Sequence, residues 1–148
     1  MLAWYSSYGM ITDVTAPGGS RFQTPTFDFS RGRVLAPYSS TASDLALEAS
    51  INRLVVDPSG NFYAWLNGTS MAAPHAAGVA ALIRAKNPGM PQGSVVAKLR
   101  SSATKMPCPA ALDPGVAFFG APVQACSGGV GSNSFYGAGL VNALTASK

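Results

Sequence analysis

The stretch Asn67-Gly68-Thr69-Ser70-Met71-Ala72-Ala73-Pro74-His75, continued by Ala76-Ala77-Gly78-Val79-Ala80-Ala81-Leu82, decides how this chain is read. It brings a serine to the point where a tight glycine turn enters a helix of small residues. Gly68 and Ala72, close to Ser70, leave its hydroxyl open to approach by another backbone. The start of a helix carries N–H groups without intrahelical partners and the positive end of the helix dipole. An oxyanion forming beside Ser70 is stabilised by that arrangement. Pro74 falls in the first turn, where the N–H it lacks costs little. The bland alternative is a Ser70 that only caps the helix with its side chain.

Outward from this segment the chain divides clearly. From Met71 to Lys86 alanine dominates, with Val79, Leu82 and Ile83 among the small residues, and Asn87-Pro88-Gly89 ends the run. Both sides of such a helix are mostly apolar, which predicts burial. A second helix is expected over about Gln92–Ala103, with Val95, Val96 and Leu99 on one face, and a short terminal one from about Asn142 to Ser147. Upstream, Leu54-Val55-Val56 and Phe62-Tyr63-Ala64-Trp65 flank the turn residues Asp57–Asn61, which predicts a β-hairpin. Met10–Ala16 reads as a short strand stopped by Pro17-Gly18-Gly19. Periodicity fades from Ser20 to Ser50 and again over Pro107–Gly131. Both are read as irregular loops or insertions, and the length of 148 residues suits one ordinary domain.

Composition narrows the function classes. Hydrophobic residues make up 47% and charged residues only 11%, against roughly 25% charged in an average soluble domain. So sparse a charge supply fits a secreted protein, or one whose apolar surface is covered by more protein. The net charge of +4 is scattered, and only Arg31 and Arg33 come near a cluster, which argues against a nucleic-acid partner. No apolar run reaches the roughly 18 residues of a membrane span, and Met1–Met10 lacks the basic region and apolar stretch of a signal peptide. Cys108, Cys126 and the single His75 do not make a zinc site, and no metal or cofactor is expected. The two cysteines are either buried free thiols or a disulfide. The disulfide is favoured, because the segment between them has little periodic structure and gains from a staple; it implies an oxidising compartment.

The whole string from Asn67 to His75 resembles the nucleophile segment of the subtilisin-like serine proteases, the subtilases. The likeness extends to both sides. Ala3-Trp4-Tyr5-Ser6-Ser7-Tyr8-Gly9 and Asp13-Val14-Thr15-Ala16-Pro17-Gly18 are similar to the strand and loop that precede the nucleophile in that family. Asn87-Pro88 and the helix after it are similar to its next elements, and Tyr136-Gly137-Ala138-Gly139-Leu140-Val141-Asn142-Ala143 to its C-terminal segment. The resemblance implies an α/β fold: the C-terminal half of a three-layer subtilisin-like domain, with a mostly parallel sheet and a buried central helix. It also implies roles. Ser70 becomes the nucleophile of a serine endopeptidase and its N–H one of two oxyanion donors. Asn67, Gly68 and Thr69 touch a polypeptide substrate beside the scissile bond, and His75 is structural.

Helical geometry agrees about His75. Five positions along a helix turn about 140° and rise about 7.5 Å, too far for a hydrogen bond to the Ser70 hydroxyl. The family's chain order is Asp, His, Ser, and its Asp, His and oxyanion Asn all precede the segment seen here. Nothing in this chain replaces them, since Asp13, Asp28, Asp44, Asp57 and Asp113 have no imidazole to orient. The strands lining the family's main specificity pocket also lie upstream, and the acids are too isolated to suggest a calcium site. The expectation is a fragment of a secreted endopeptidase that needs its N-terminal half as partner and is inactive alone. The alternative is a non-catalytic scaffold or binding protein derived from a subtilase.

Overall fold

In the computed structural model the described residues are 1–23, 32–120 and 122–148. Asp28 and Arg31 lie outside them. The elements are β1 (Val34–Pro37), α1 (Leu45–Ser50), β2 (Leu54–Val56), β3 (Phe62–Leu66), α2 (Thr69–Lys86), α3 (Gln92–Ser102), α4 (Gly115–Phe119), β4 (Gly128–Gly129), β5 (Ser132–Asn133) and α5 (Ala143–Ala146), with a 3-10 turn at Arg21–Gln23.

The expected hairpin forms, with Leu54 opposite Ala64 and Val56 opposite Phe62. Its turn is closed by the Asp57 carboxylate, which accepts from the N–H groups of Ser59 at 2.8 Å and Asn61 at 2.9 Å. Those bonds, and above all the one from the Asn61 side-chain amide, hold the carboxyl below its ordinary range. On the other edge of β3 lies β1, also antiparallel, with Val34 opposite Leu66. The β3 strand is therefore central, and Ala64 at its midpoint is fully buried. Both β1 and α1 fall inside the segment expected to be irregular. A strand this short carries no legible period, and it forms because β3 completes its ladder from nearly thirty positions away. The α1 helix is tied to the chain entering β2 by the buried Glu48, whose carboxylate pairs with Arg53.

The helices supply the main core. Val79 and Ile83 of α2, Val95 of α3 and Ala146 of α5 pack together, with Leu99 and Val141 against them. The α2 helix starts at Thr69, as the Gly68 turn predicts. Its expected burial is not met: Val79 and Ile83 are its only buried residues, and Leu82 is 47% exposed. The α3 and α5 helices cover one side, and among the described residues no helix or strand covers the opposite Ala- and Gly-rich face. The mostly parallel sheet is also corrected. Among the described residues both sheets are antiparallel, and parallel pairing is confined to a bridge between Thr15 and Leu140. That bridge is all that forms of the strand expected at Met10–Ala16, where Ile11 stands 97% exposed. A strand requires a neighbour to bond, and this segment meets one at a single point. What remains is an α/β arrangement of helices beside a small sheet.

The segment 107–131 is likewise more ordered than expected. It holds α4 and one strand of the β4–β5 hairpin, and a Cys108–Cys126 disulfide with Cα atoms 5.8 Å apart closes it. The free-thiol alternative is thereby set aside. Cys126 also packs against a second cluster formed by Leu2, Phe135 and Tyr136.

Candidate active site

The stretches singled out in the sequence come together at one end of α2. Thr15 N–H donates to Gly139 O, and Val141 N–H returns the bond to Thr15 O, both at 2.9 Å. Leu140 exchanges both backbone bonds with Thr104, just beyond the end of α3. The C-terminal segment thus lies between the 13–18 loop and the end of α3.

The 13–18 loop in turn holds the turn before α2. Gly18 O accepts from Gly68 N–H at 2.9 Å. The approach is close, for a Cβ on Gly18 would sit 2.7 Å from Gly68 O and 2.8 Å from the Tyr5 hydroxyl. Tyr5 donates that hydroxyl to Gly19 O, and burial pushes its pKa up to about 12. From the other side, Arg33 Nε donates to Asn67 Oδ1 at 2.8 Å, tying the turn to the start of β1. Gly68 itself has φ +153°, a backbone conformation that residues with a side chain rarely adopt. The turn into α2 is therefore held from two sides and shaped by glycine.

Ser70 is the second residue of α2 and exposed, whereas the N-cap position belongs to Gly68 and has no side-chain cap. The capping role that would have explained Ser70 blandly is thus not the one it has. The first bonds back into the helix start run from the N–H groups of Met71 and Ala72 to Gly68 O, at 3.1 and 3.3 Å. The N–H groups of Thr69 and Ser70 precede them and have no intrahelical acceptor within reach. An exposed hydroxyl therefore stands beside N–H groups at the positive end of a helix of eighteen residues. Next to them opens a cavity of about 400 Å³, lined by Tyr5, Gly18, Thr69, Ala72 and Tyr136 among others.

His75 does not join this group. Its Nδ1 lies 2.7 Å from Met71 O, one turn back along the helix, and donates to that carbonyl. Two members of the site escaped the sequence reading. In the sequence Arg33 is one of a pair of neighbouring basic residues, and Tyr5 is one residue of the family-like stretch from Ala3 to Gly9, with no role of its own. No local pattern pairs either with the residue it holds. Among the described residues no group of three His, Cys, Asp or Glu side chains could hold a metal ion, and no helix is long and apolar enough to cross a membrane.

A model of the subtilase family matches residues 1–139. The chain is 38% identical over 89 residues to the M-protease of Shouchella clausii strain KSM-K16, a match covering 60% of this chain and 17% of that protein. To the subtilisin of Bacillus pumilus it is 33% identical over 113 residues, covering 76% of this chain and 32% of that one. A solved structure of a protease from Pseudoalteromonas arctica PAMC 21717 superposes with a TM-score of 0.62 at 32% identity, covering 98% of this chain and 31% of its own. The chain thus spans a third or less of each of these relatives.

Proposed function

We propose, from the premise that this chain belongs to the subtilase family, that Ser70 is the nucleophile of a serine endopeptidase whose catalytic domain continues beyond these residues. The observation that carries the proposal is the placing of Ser70: exposed, in the first turn of α2, and not used as its cap. In the proposed reaction the Ser70 oxygen attacks the scissile carbonyl carbon while a base takes its proton. The carbonyl oxygen becomes negative, and the Ser70 N–H at the helix start is one of the donors that stabilise it. As the intermediate collapses, the base passes the serine proton to the leaving nitrogen, the C–N bond breaks, and the amine departs from an acyl-enzyme that water then hydrolyses. Asn67, Gly68 and Thr69 form the wall against which the polypeptide substrate lies.

The base and the second oxyanion donor come from outside this chain. His75 is its single histidine, and it stands five positions along α2 from Ser70, about 140° around the helix axis and about 7.5 Å along it, with its ring turned back to Met71 O. The larger share of each relative that this chain leaves unmatched has room for both groups. The exposed Ala- and Gly-rich face of α2 is where the N-terminal half docks, making residues 1–148 the C-terminal portion of one domain. The Cys108–Cys126 disulfide supports an oxidising, extracellular setting.

The test is direct. Alone, the chain is expected to hydrolyse peptides no faster than its Ser70→Ala variant, since general-base catalysis contributes roughly 10²–10⁴-fold and no base is at hand. A fluorophosphonate probe should leave Ser70 unlabelled. Joining the upstream half of a subtilase domain should restore both labelling and hydrolysis. A joined, folded protein that remains unlabelled at Ser70 refutes the proposal and favours a binding scaffold.

A further inference from the structure

An aromatic platform stands beside this site, built mainly by the two segments outside the family-like stretches. The Trp4 and Phe119 ring centroids are 4.1 Å apart, Phe118 and Phe119 lie 4.9 Å apart edge to face, and Phe22 is 5.4 Å from Phe118. The Arg21 guanidinium sits over Phe22 at 4.8 Å and over Phe118 at 5.6 Å. The platform is held from below. Asp113, 1% exposed, accepts from Gly115 N–H at 2.8 Å and fixes the start of α4. Gly115 has no side chain because Trp4 occupies the space; a Cβ there would meet the indole at 2.4 Å. The disulfide closes the loop that carries α4. Phe22 is buried, yet Phe118 is 67% exposed and Phe119 47% exposed. Two rings are thus held rigidly toward solvent on a buried foundation.

We infer that this platform, formed by Trp4, Phe22, Phe118 and Phe119, receives an apolar side chain of the polypeptide substrate at a position remote from the scissile bond. The inference rests on the endopeptidase reading of Ser70. Two observations choose the occupant. The first is size. With 150–250 Å² for a whole aromatic side chain, the exposed parts of Phe118 and Phe119 offer on the order of 200 Å². A stable protein interface needs about 800 Å² from each partner, so the platform fits one side chain and not a second copy of this chain. The second is continuity with the site. Trp4 precedes Tyr5 and packs edge to face on its ring. Tyr5 holds Gly19, and the adjacent Gly18 holds Gly68, two residues before Ser70. An extended peptide advances about 3.3 Å per residue, so a substrate lying at Ser70 reaches the platform within a few residues.

The platform can be tested on the chain itself. Trp65→Phe leaves Trp4 as the sole indole, and its fluorescence then reports on acetylated hexapeptide amides that are all alanine except for one phenylalanine, moved along the series. A saturable change is expected for the phenylalanine peptides and none for the all-alanine peptide. Covering about half of an aromatic side chain corresponds to roughly tenfold in affinity. Phe118→Ser should therefore weaken binding by about that factor, while Phe118→Leu retains most of it, with circular dichroism showing each variant folded. Joined to the upstream half, the protein should cleave one phenylalanine register about tenfold better than the all-alanine peptide, and Phe118→Ser should abolish that preference. Equal binding of both peptide classes, or wild-type behaviour of Phe118→Ser, overturns the inference. So does self-association that Phe118→Ser removes, which would assign the rings to a second copy. Phenylalanine-selective binding without any hydrolysis by the joined protein refutes the Ser70 reading alone, whereas hydrolysis without preference at any register refutes the platform alone.

Discussion

Replacing Gly68 by alanine isolates the backbone cost of the turn that presents Ser70. A Cβ at this position meets nothing closer than Ser70 N at 3.8 Å and Met71 Sδ at 3.9 Å, so steric contact contributes almost nothing. The cost is conformational. With φ at +153° and ψ at 170° the residue lies in a region that glycine almost alone occupies, and holding another residue there costs about 1–3 kcal/mol. At about 2–4 °C per kcal/mol for a chain of this size, Gly68→Ala should lower Tm by roughly 2–12 °C. Gly78→Ala supplies the control in the same helix. Gly78 is exposed, lies in the middle of α2, and a Cβ there meets nothing within 4 Å. That substitution should stabilise the chain by roughly 0.5–1 kcal/mol through helix propensity. Urea denaturation distinguishes the two, with midpoints moving in opposite directions at unchanged slope. A Gly68→Ala midpoint equal to wild type, beside the expected gain for Gly78→Ala, would refute the claim that the turn depends on glycine's backbone freedom.

Two further outcomes follow from the same structure. Removing the disulfide by Cys108→Ser with Cys126→Ser should cost about 3 kcal/mol in the chain-entropy model for a loop of this length, read as a Tm fall of roughly 6–12 °C. Alkylation of the unreduced, denatured protein should modify neither cysteine, and two modified thiols would contradict the closed loop. Burial raises the Tyr5 pKa to about 12, so the neutral hydroxyl is favoured in the folded state. The stability it contributes is complete below the ordinary pKa near 10 and is lost as pH rises through about 12. Tyr5→Phe should remove this part of the alkaline fall in stability, measured by urea midpoints between pH 9 and 11. An identical alkaline profile in that variant would show that Tyr5 is not the group responsible.

The exposure of α2 connects these results to the proposed function. An Ala-rich helix with apolar residues all around is read as buried, yet among the described residues nothing covers its Ala- and Gly-rich face. The face left open lies on the helix whose first turn bears Ser70. Docking of further polypeptide on that face and assembly of a catalytic site at its end are therefore one event in the proposed scheme. The exposed ion pair near the site contributes little. Arg100 and Asp13 face each other at 3.3 Å with both side chains more than half exposed, and such pairs contribute at most about 1 kcal/mol. The turn before α2 is held by backbone hydrogen bonds, by Arg33 on Asn67, and by the glycines that permit the close approaches.

Much of the chain was legible without coordinates, because its signals are local. The glycine turn, the small-residue run and the Asn87-Pro88-Gly89 stop fixed α2 to within a residue or two, since caps, breakers and periodicity act over one or two helical turns. The hairpin around Asp57 was readable for the same reason, its carboxylate bonding N–H groups two and four residues on. Ser70 was identifiable as the residue of interest from the string around it. What the sequence could not supply were the relations between distant residues. The β1 strand exists because β3 offers it an edge, and Thr15 pairs with Leu140 across most of the chain. Arg33 reaches Asn67, and Tyr5 reaches Gly19, across separations that carry no period and no motif. The rings of Trp4, Phe22, Phe118 and Phe119 come from three segments, two of which were read as irregular, and only folding brings them onto one surface. Local conformational preference is written in neighbouring residues, whereas the value of a non-local contact depends on what the rest of the chain places opposite it, and the tertiary structure alone decides that.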